Sequence, residues 1–158
     1  VQRAAEGEMT ATRQLQLKFW EAFRVYMQQN RKTRCQKPAP QHWMNHSIGR
    51  SGFGMCSIIS TWDSEKSAWG SEIRVELVIT DKRSKEYFAR LEERQGEIEK
   101  AVGEKLIWKN PEEKHQSKVI VRLASDFSDE KNWPKQQVWL REKLEKFQAV
   151  FGPIVREL

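Results

Sequence analysis

Glu72-Ile73-Arg74-Val75-Glu76-Leu77-Val78-Ile79-Thr80 sets the architecture. Ile73, Val75, Leu77 and Ile79 alternate with Arg74, Glu76 and Val78. A period of two belongs to a β-strand, whose successive side chains point to opposite faces. One face of this strand joins a core and the other carries charge. Upstream, Trp43–Ile48 and Gly54–Trp62 read as two more strands. Gly49-Arg50-Ser51-Gly52 separates them as a tight turn, because glycine accepts positive φ. The polar run Asp63–Gly70 then links the second and third strands as a hairpin.

Downstream, Asp81 or Ser84 can cap a helix whose buried stripe is Phe88, Leu91, Gln95, Ile98 and Val102, with Gly103 as its stop. Lys105–Lys109 and Lys118–Ala124 form a further hairpin around Asn110-Pro111-Glu112-Glu113. A first helix spans Thr12–Asn30, with Leu15, Phe19, Phe23 and Tyr26 or Met27 at helical spacing. Trp133-Pro134 opens the last helix with proline at its favoured first position. Val138, Leu140, Leu144, Phe147 and Phe151 give that helix its apolar face, and Gly152-Pro153 ends it. The order is α-β-β-β-α-β-β-α. Short links imply an α+β fold, a mostly antiparallel sheet of about five strands with three main helices on one face. Residues 1–11 read as a linker or tail and residues 12–158 as a single domain. A chain beginning at Val1 reads as the C-terminal domain of a longer one.

The 158 residues are enough to bury a core without disulfides or metals. Hydrophobic content is only 38%, but seven tryptophans and seven phenylalanines supply large buried areas. No apolar run reaches membrane-spanning length and no signal peptide is visible. Cys35 and Cys56 fit no metal or redox spacing, which points to reduced thiols in a reducing, cytoplasmic compartment. His42 and His46 would share a helical face, but Pro38 and Pro40 argue against a helix there. No metal or cofactor is implied.

The net charge of +6 is unevenly placed. Residues 1–54 hold nine Lys/Arg and three Asp/Glu, and the remainder holds nineteen of each. Ala22–Trp62 contains no acidic residue, yet carries Arg24, Arg31, Lys32, Arg34, Lys37 and Arg50, with Trp43, Phe53 and Trp62 interleaved. Such a segment attracts polyanions. Arg31, Lys32, Arg34 and Lys37 would contact phosphates, Trp43 would stack on a base, and the Gly-Arg-Ser-Gly turn would present Arg50. A solvated basic loop beside aromatics of the core is the competing reading.

Catalytic chemistry finds weaker support. Glu72, Glu76 and Asp81 are the acids a metal-dependent nuclease would draw on, with Glu72 and Glu76 on one strand face. Cys56 sits in an apolar strand with no base beside it, so packing is its expected role. A third class of function is protein association, since Leu17, Trp20 and Val25 lie off the main stripe of the first helix.

Gln14-Leu15-Gln16-Leu17-Lys18-Phe19-Trp20, Lys37-Pro38-Ala39-Pro40-Gln41-His42-Trp43 and Ile48-Gly49-Arg50-Ser51-Gly52-Phe53 resemble a bacterial and archaeal family, domain of unknown function four-two-six-eight. Arg74-Val75-Glu76-Leu77 and Trp133-Pro134-Lys135-Gln136 extend the resemblance, which spans Thr12–Leu158. The resemblance implies an upstream partner domain like a restriction endonuclease, with catalytic acids outside this sequence. It supplies no catalytic residue of its own. The combined expectation is a non-catalytic accessory domain that binds DNA or RNA.

The strand reading makes a direct prediction. Leu77→Asp would place an unpaired charge in the core and cost several kcal/mol. Chemical denaturation is expected to show a strongly lowered midpoint, and an unchanged transition would reject the assignment.

Overall fold

The computed structural model describes residues 10–30, 34–63 and 68–158, and of residues 62, 63, 68 and 69 it describes the backbone. Helix α1 (Ala11–Asn30) leads into strands β1 (Trp43–Ser47), β2 (Phe53–Asp63) and β3 (Ala68–Ile79). Helices α2 (Ser84–Glu92) and α3 (Gln95–Val102) follow, then β4 (Ile107–Lys109) and β5 (Ser117–Ala124). A 3-10 turn, Glu130–Asn132, delivers the chain into α4 (Trp133–Glu157). The sheet order is β1-β2-β3-β5-β4, with every neighbouring pair antiparallel. β5 therefore slots between β3 and the short edge strand β4.

The alternation in β3 is realised across the sheet. Met55 faces Leu77 and Leu77 faces Val119; Ser57, Val75 and Val121 form the next row. These side chains, with Ile59, Ile73 and Ile79, are buried beneath the helices. α4 lies over β2 and β3, α1 lies beside α4, and α2 lies against β3 and β5. Phe19 meets Trp133 edge-on at 5.2 Å and Trp20 at 5.1 Å. The Trp20 indole N–H donates to the Gln41 carbonyl at 2.7 Å, so this ring belongs to the core and ties the following loop to α1. Of the three residues read as a second stripe on α1, Trp20 is buried, Leu17 half-buried and Val25 exposed.

Several features differ from the sequence expectation. β3 begins at Ala68, not Glu72. Ser60 pairs with Glu72 while Trp62 pairs with Trp69, so β3 holds one extra residue beside Gly70, and the strand continues through the bulge. The middle helix is two helices. The Arg94 N–H bonds the Leu91 carbonyl three residues back, which tightens the turn and breaks the axis between α2 and α3. Val138 is exposed, because the buried stripe of α4 runs through Trp133, Gln136, Leu140 and Leu144 and leaves it on the far side. α4 also continues through Gly152-Pro153 to Glu157. Proline removes one helical donor, but burial of Phe151, Ile154 and Val155 carries the last turns.

The expected turn is present, with Gly49 at φ 97° and Gly52 at φ 83°. At Gly52 a Cβ would meet the Asp81 Cβ at 2.8 Å, so both conformation and space call for glycine.

β1 is an edge strand, and two glutamines close part of its open side. Gln36 Oε1 accepts from the Asn45 N–H at 2.6 Å, and Gln41 Nε2 donates to the Trp43 carbonyl at 3.0 Å. Side chains thus occupy backbone groups that would otherwise template another strand. Changing Gln36 and Gln41 together to alanine is expected to lower stability by only ~1–2 kcal/mol. Light scattering on heating, at matched concentration, is expected to rise well beyond what that loss explains.

Candidate nucleic-acid interface

The helices cover one face of the sheet. The other carries Trp43, Ile58, Arg74 and Arg122 in one cross-strand row, and Asn45, Cys56, Glu76 and Ile120 in the next. Two glutamates on this face are almost wholly buried, Glu72 at 0% and Glu76 at 2% exposure. A buried carboxylate stays charged only with good partners. Glu72 takes the Arg74 Nη1 at 3.1 Å and the Arg122 Nε at 2.9 Å. Glu76 takes the Arg74 Nε at 2.8 Å and pairs with the Lys118 Nζ at 3.2 Å. Arg74 and Arg122 are directly opposed across the β3–β5 ladder, where like charges repel, and Glu72 bridges them.

A cleft of about 840 Å³ opens over this face. Gly54, Cys56 and Val78 form its floor; Trp43 and Asn45 on β1, with Arg34 and Gln36 from the preceding loop, bound one side, and Lys118 on β5 lies on the other. Its lining includes three cations, Arg34, Arg74 and Lys118, and one carboxylate, Glu76. Both lining histidines are neutral at pH 7. Desolvation, then the Arg74 guanidinium, holds His42 below its ordinary value. Burial lowers His46 from 6.5 to about 4. The cleft therefore carries an excess of two positive charges. Its two thiols are held protonated: burial, then the Glu76 carboxylate, pushes Cys56 up to about 11, and the Cys56 Sγ donates to Asn45 Oδ1 at 3.0 Å. Cys35 is likewise pushed up to about 11 by burial, and both cysteines are free thiols.

His46 explains how the basic loop is held. Its Nδ1 lies 2.8 Å from the Arg34 carbonyl, which only accepts, so Nδ1 carries the proton. Nε2 then accepts from the Ser57 hydroxyl. This serine–histidine pair has the form of a nucleophile and base, but Ser57 is fully buried on the helix-covered face, out of a substrate's reach.

The residues singled out in the sequence part company here. Arg31 and Lys32 lie outside the described residues. Arg34 lines the cleft, Lys37 is exposed in the same loop, and Trp43 is 37% exposed with its ring edge-on to His42 at 4.8 Å. Arg50 is turned into the domain. Its Nη1 donates to the Val155 and Leu158 carbonyls, each at 2.6 Å, and its guanidinium lies over the Phe53 and Tyr87 rings at 5.1 and 5.2 Å. The Gly-Arg-Ser-Gly turn thus satisfies the last carbonyls of α4. Asp81 accepts from the Arg83 N–H at 2.8 Å and abuts Gly52, away from Glu72 and Glu76 at the strand's other positions. Among the described residues no three His, Cys, Asp or Glu side chains converge to hold a metal. Arg74 and Lys118 were not singled out as ligand contacts. Their strand parity was legible, since both fall on the face opposite Leu77 and Val119.

The chain matches the family described as Domain of unknown function (DUF4268) over residues 15–155. It belongs to that family. No curated protein and no solved structure matches it. The description of DUF4268 assigns no activity, so the chemistry of the cleft carries the functional reading. Among the described residues no helix is long and apolar enough to cross a membrane.

The His46 tether predicts a pH dependence. Its pKa is depressed in the folded protein from 6.5 to about 4, so between these values the unfolded chain binds a proton that the native one does not. Stability is then full above pH 6.5 and falls as pH drops toward 4, by roughly 3 kcal/mol from this group. In His46→Gln, which cannot titrate, the slope of unfolding free energy over that window is expected to flatten. Denaturant titrations at several pH values measure it.

Proposed function

We propose that this domain is a non-catalytic accessory module that binds nucleic acid beside a nuclease-like domain. The observation that carries the reading is the cleft, which has cations on both of its sides and an exposed Trp43 on one of them. Cations set along a groove track a phosphate backbone, and a flat aromatic accepts an unpaired base. The acid-free run from Ala22 to Trp62 adds charge beside the same side of the cleft, through Arg34 and Lys37. Occupied ion pairs at Glu72 and Glu76 favour a binding role over metal-assisted cleavage. The resemblance to this family, which implies an upstream restriction-endonuclease-like domain, is consistent with that role.

Arg50 is left out of the proposed contact surface, because its guanidinium is committed to the end of α4. Arg31, Lys32, Arg34 and Lys37 remain in it. Four phosphate contacts would give a slope of log affinity against log salt of about −3 on a single strand. Fluorescent-oligonucleotide binding across a salt series tests this, comparing the parent with Arg31, Lys32, Arg34 and Lys37 changed together to serine. The variant is expected to bind more weakly with a shallower slope. Equal binding by the two proteins, or equal competition by an acidic peptide, would reject the reading.

A further inference from the structure

The shape of the charged face narrows the ligand. A duplex is read by an element that protrudes into a groove, a helix or a two-stranded ribbon. The open sheet face offers a trough instead, and two of the three cations lining it are partly withdrawn: the Arg74 side chain is 12% exposed and that of Lys118 34%. A rigid double helix resting on the rim would leave such groups out of reach of its phosphates. It would also keep every base face inside its own stack, with nothing to offer Trp43.

The floor fits the opposite kind of ligand. Gly54 and Val78 share a cross-strand row with Lys118, and Cys56 lies one row nearer Trp43; all three are small, neutral or aliphatic. Gly54 leaves the floor low, and the Cys56 thiol is protonated. Glu76, the carboxylate beside them, has both oxygens engaged by Arg74 and Lys118, so it presents little bare negative charge to an incoming backbone. β1 and β5 are three strand spacings, about 14 Å, apart across the sheet, and Trp43 and Lys118 are offset by four residues along it, so roughly 20 Å separates them, which a few nucleotides of a flexible chain bridge. Resting on the nucleic-acid reading above, we infer that the cleft is a single-strand site. An unpaired base stacks on Trp43 at the β1 edge, and the backbone crosses the sheet with phosphates at Arg34 and Lys118. Selection is by strandedness and not by sequence, because stacking tolerates every base.

The test compares a labelled twelve-nucleotide oligothymidylate with a blunt duplex of the same length, at low and moderate salt. The single strand is expected to bind at least tenfold more tightly. Trp43→Ala is expected to weaken single-strand binding roughly tenfold with an unchanged salt slope, and Trp43→Phe to retain most of it. Lys118→Gln is expected to reduce the slope by about 0.7, with Lys118→Arg restoring it. Denaturation midpoints confirm that each variant is folded. If duplex and single strand bind alike, or Trp43→Ala binds as the parent does, the single-strand site is wrong while nucleic-acid binding stands. If the parent binds neither form at low salt, both readings fall.

Discussion

Burying two carboxylates on the central strand obliges the sheet to bring cations to them. Glu72 and Glu76 lie on β3, the strand flanked by β2 and β5, and both are almost wholly buried. Left unpaired, each would cost several kcal/mol. Arg74 stands between them on the same strand and is shared by both, while Arg122 and Lys118 arrive from β5. The register of the β3–β5 ladder is thereby fixed twice, by the apolar rows beneath the helices and by the ion pairs above them. A slip of β5 by one residue would turn Lys118 and Arg122 toward the core and leave both carboxylates to Arg74 alone.

That arrangement gives the open face its character. Three cations serve two glutamates, and Arg34 joins them from the loop that His46 anchors. The positive surface is therefore built into the sheet and does not depend on mobile side chains alone. The loop is placed with similar economy: Trp20 holds the Gln41 carbonyl, His46 holds the Arg34 carbonyl, and Gln36 holds the Asn45 N–H.

What the sequence revealed and what it withheld follow from the range of each interaction. The alternation along Ile73–Ile79 is local, and it assigned the core face of β3 correctly. The same parity put Arg74 and Glu76 on the other face, but the burial of Glu76 depends on Lys118, which lies on another strand and cannot be paired by spacing. Arg50 was read as presented to a ligand because its turn is local; the carbonyls that claim it lie more than a hundred residues downstream. Gly152-Pro153 reads as a stop by propensity, and burial of Ile154 and Val155 overrides it. Val138 was placed on the apolar face for its chemistry although its spacing from Leu140 set it apart.

The insertion of β5 between β3 and β4 has a consequence for how the domain is made. β1, β2 and β3 meet their neighbours through short links, whereas β3 acquires its second neighbour only after α2, α3 and β4 have been laid down. Until then the flank of β3 that will receive β5 is an unpaired edge carrying Leu77 and Val75. Pairing at long sequence separation is slow, and an apolar edge left open in the interval recruits other chains. Glu72, Arg74 and Glu76 interrupt the apolar run along β3, and charges within such a segment oppose its association with other chains.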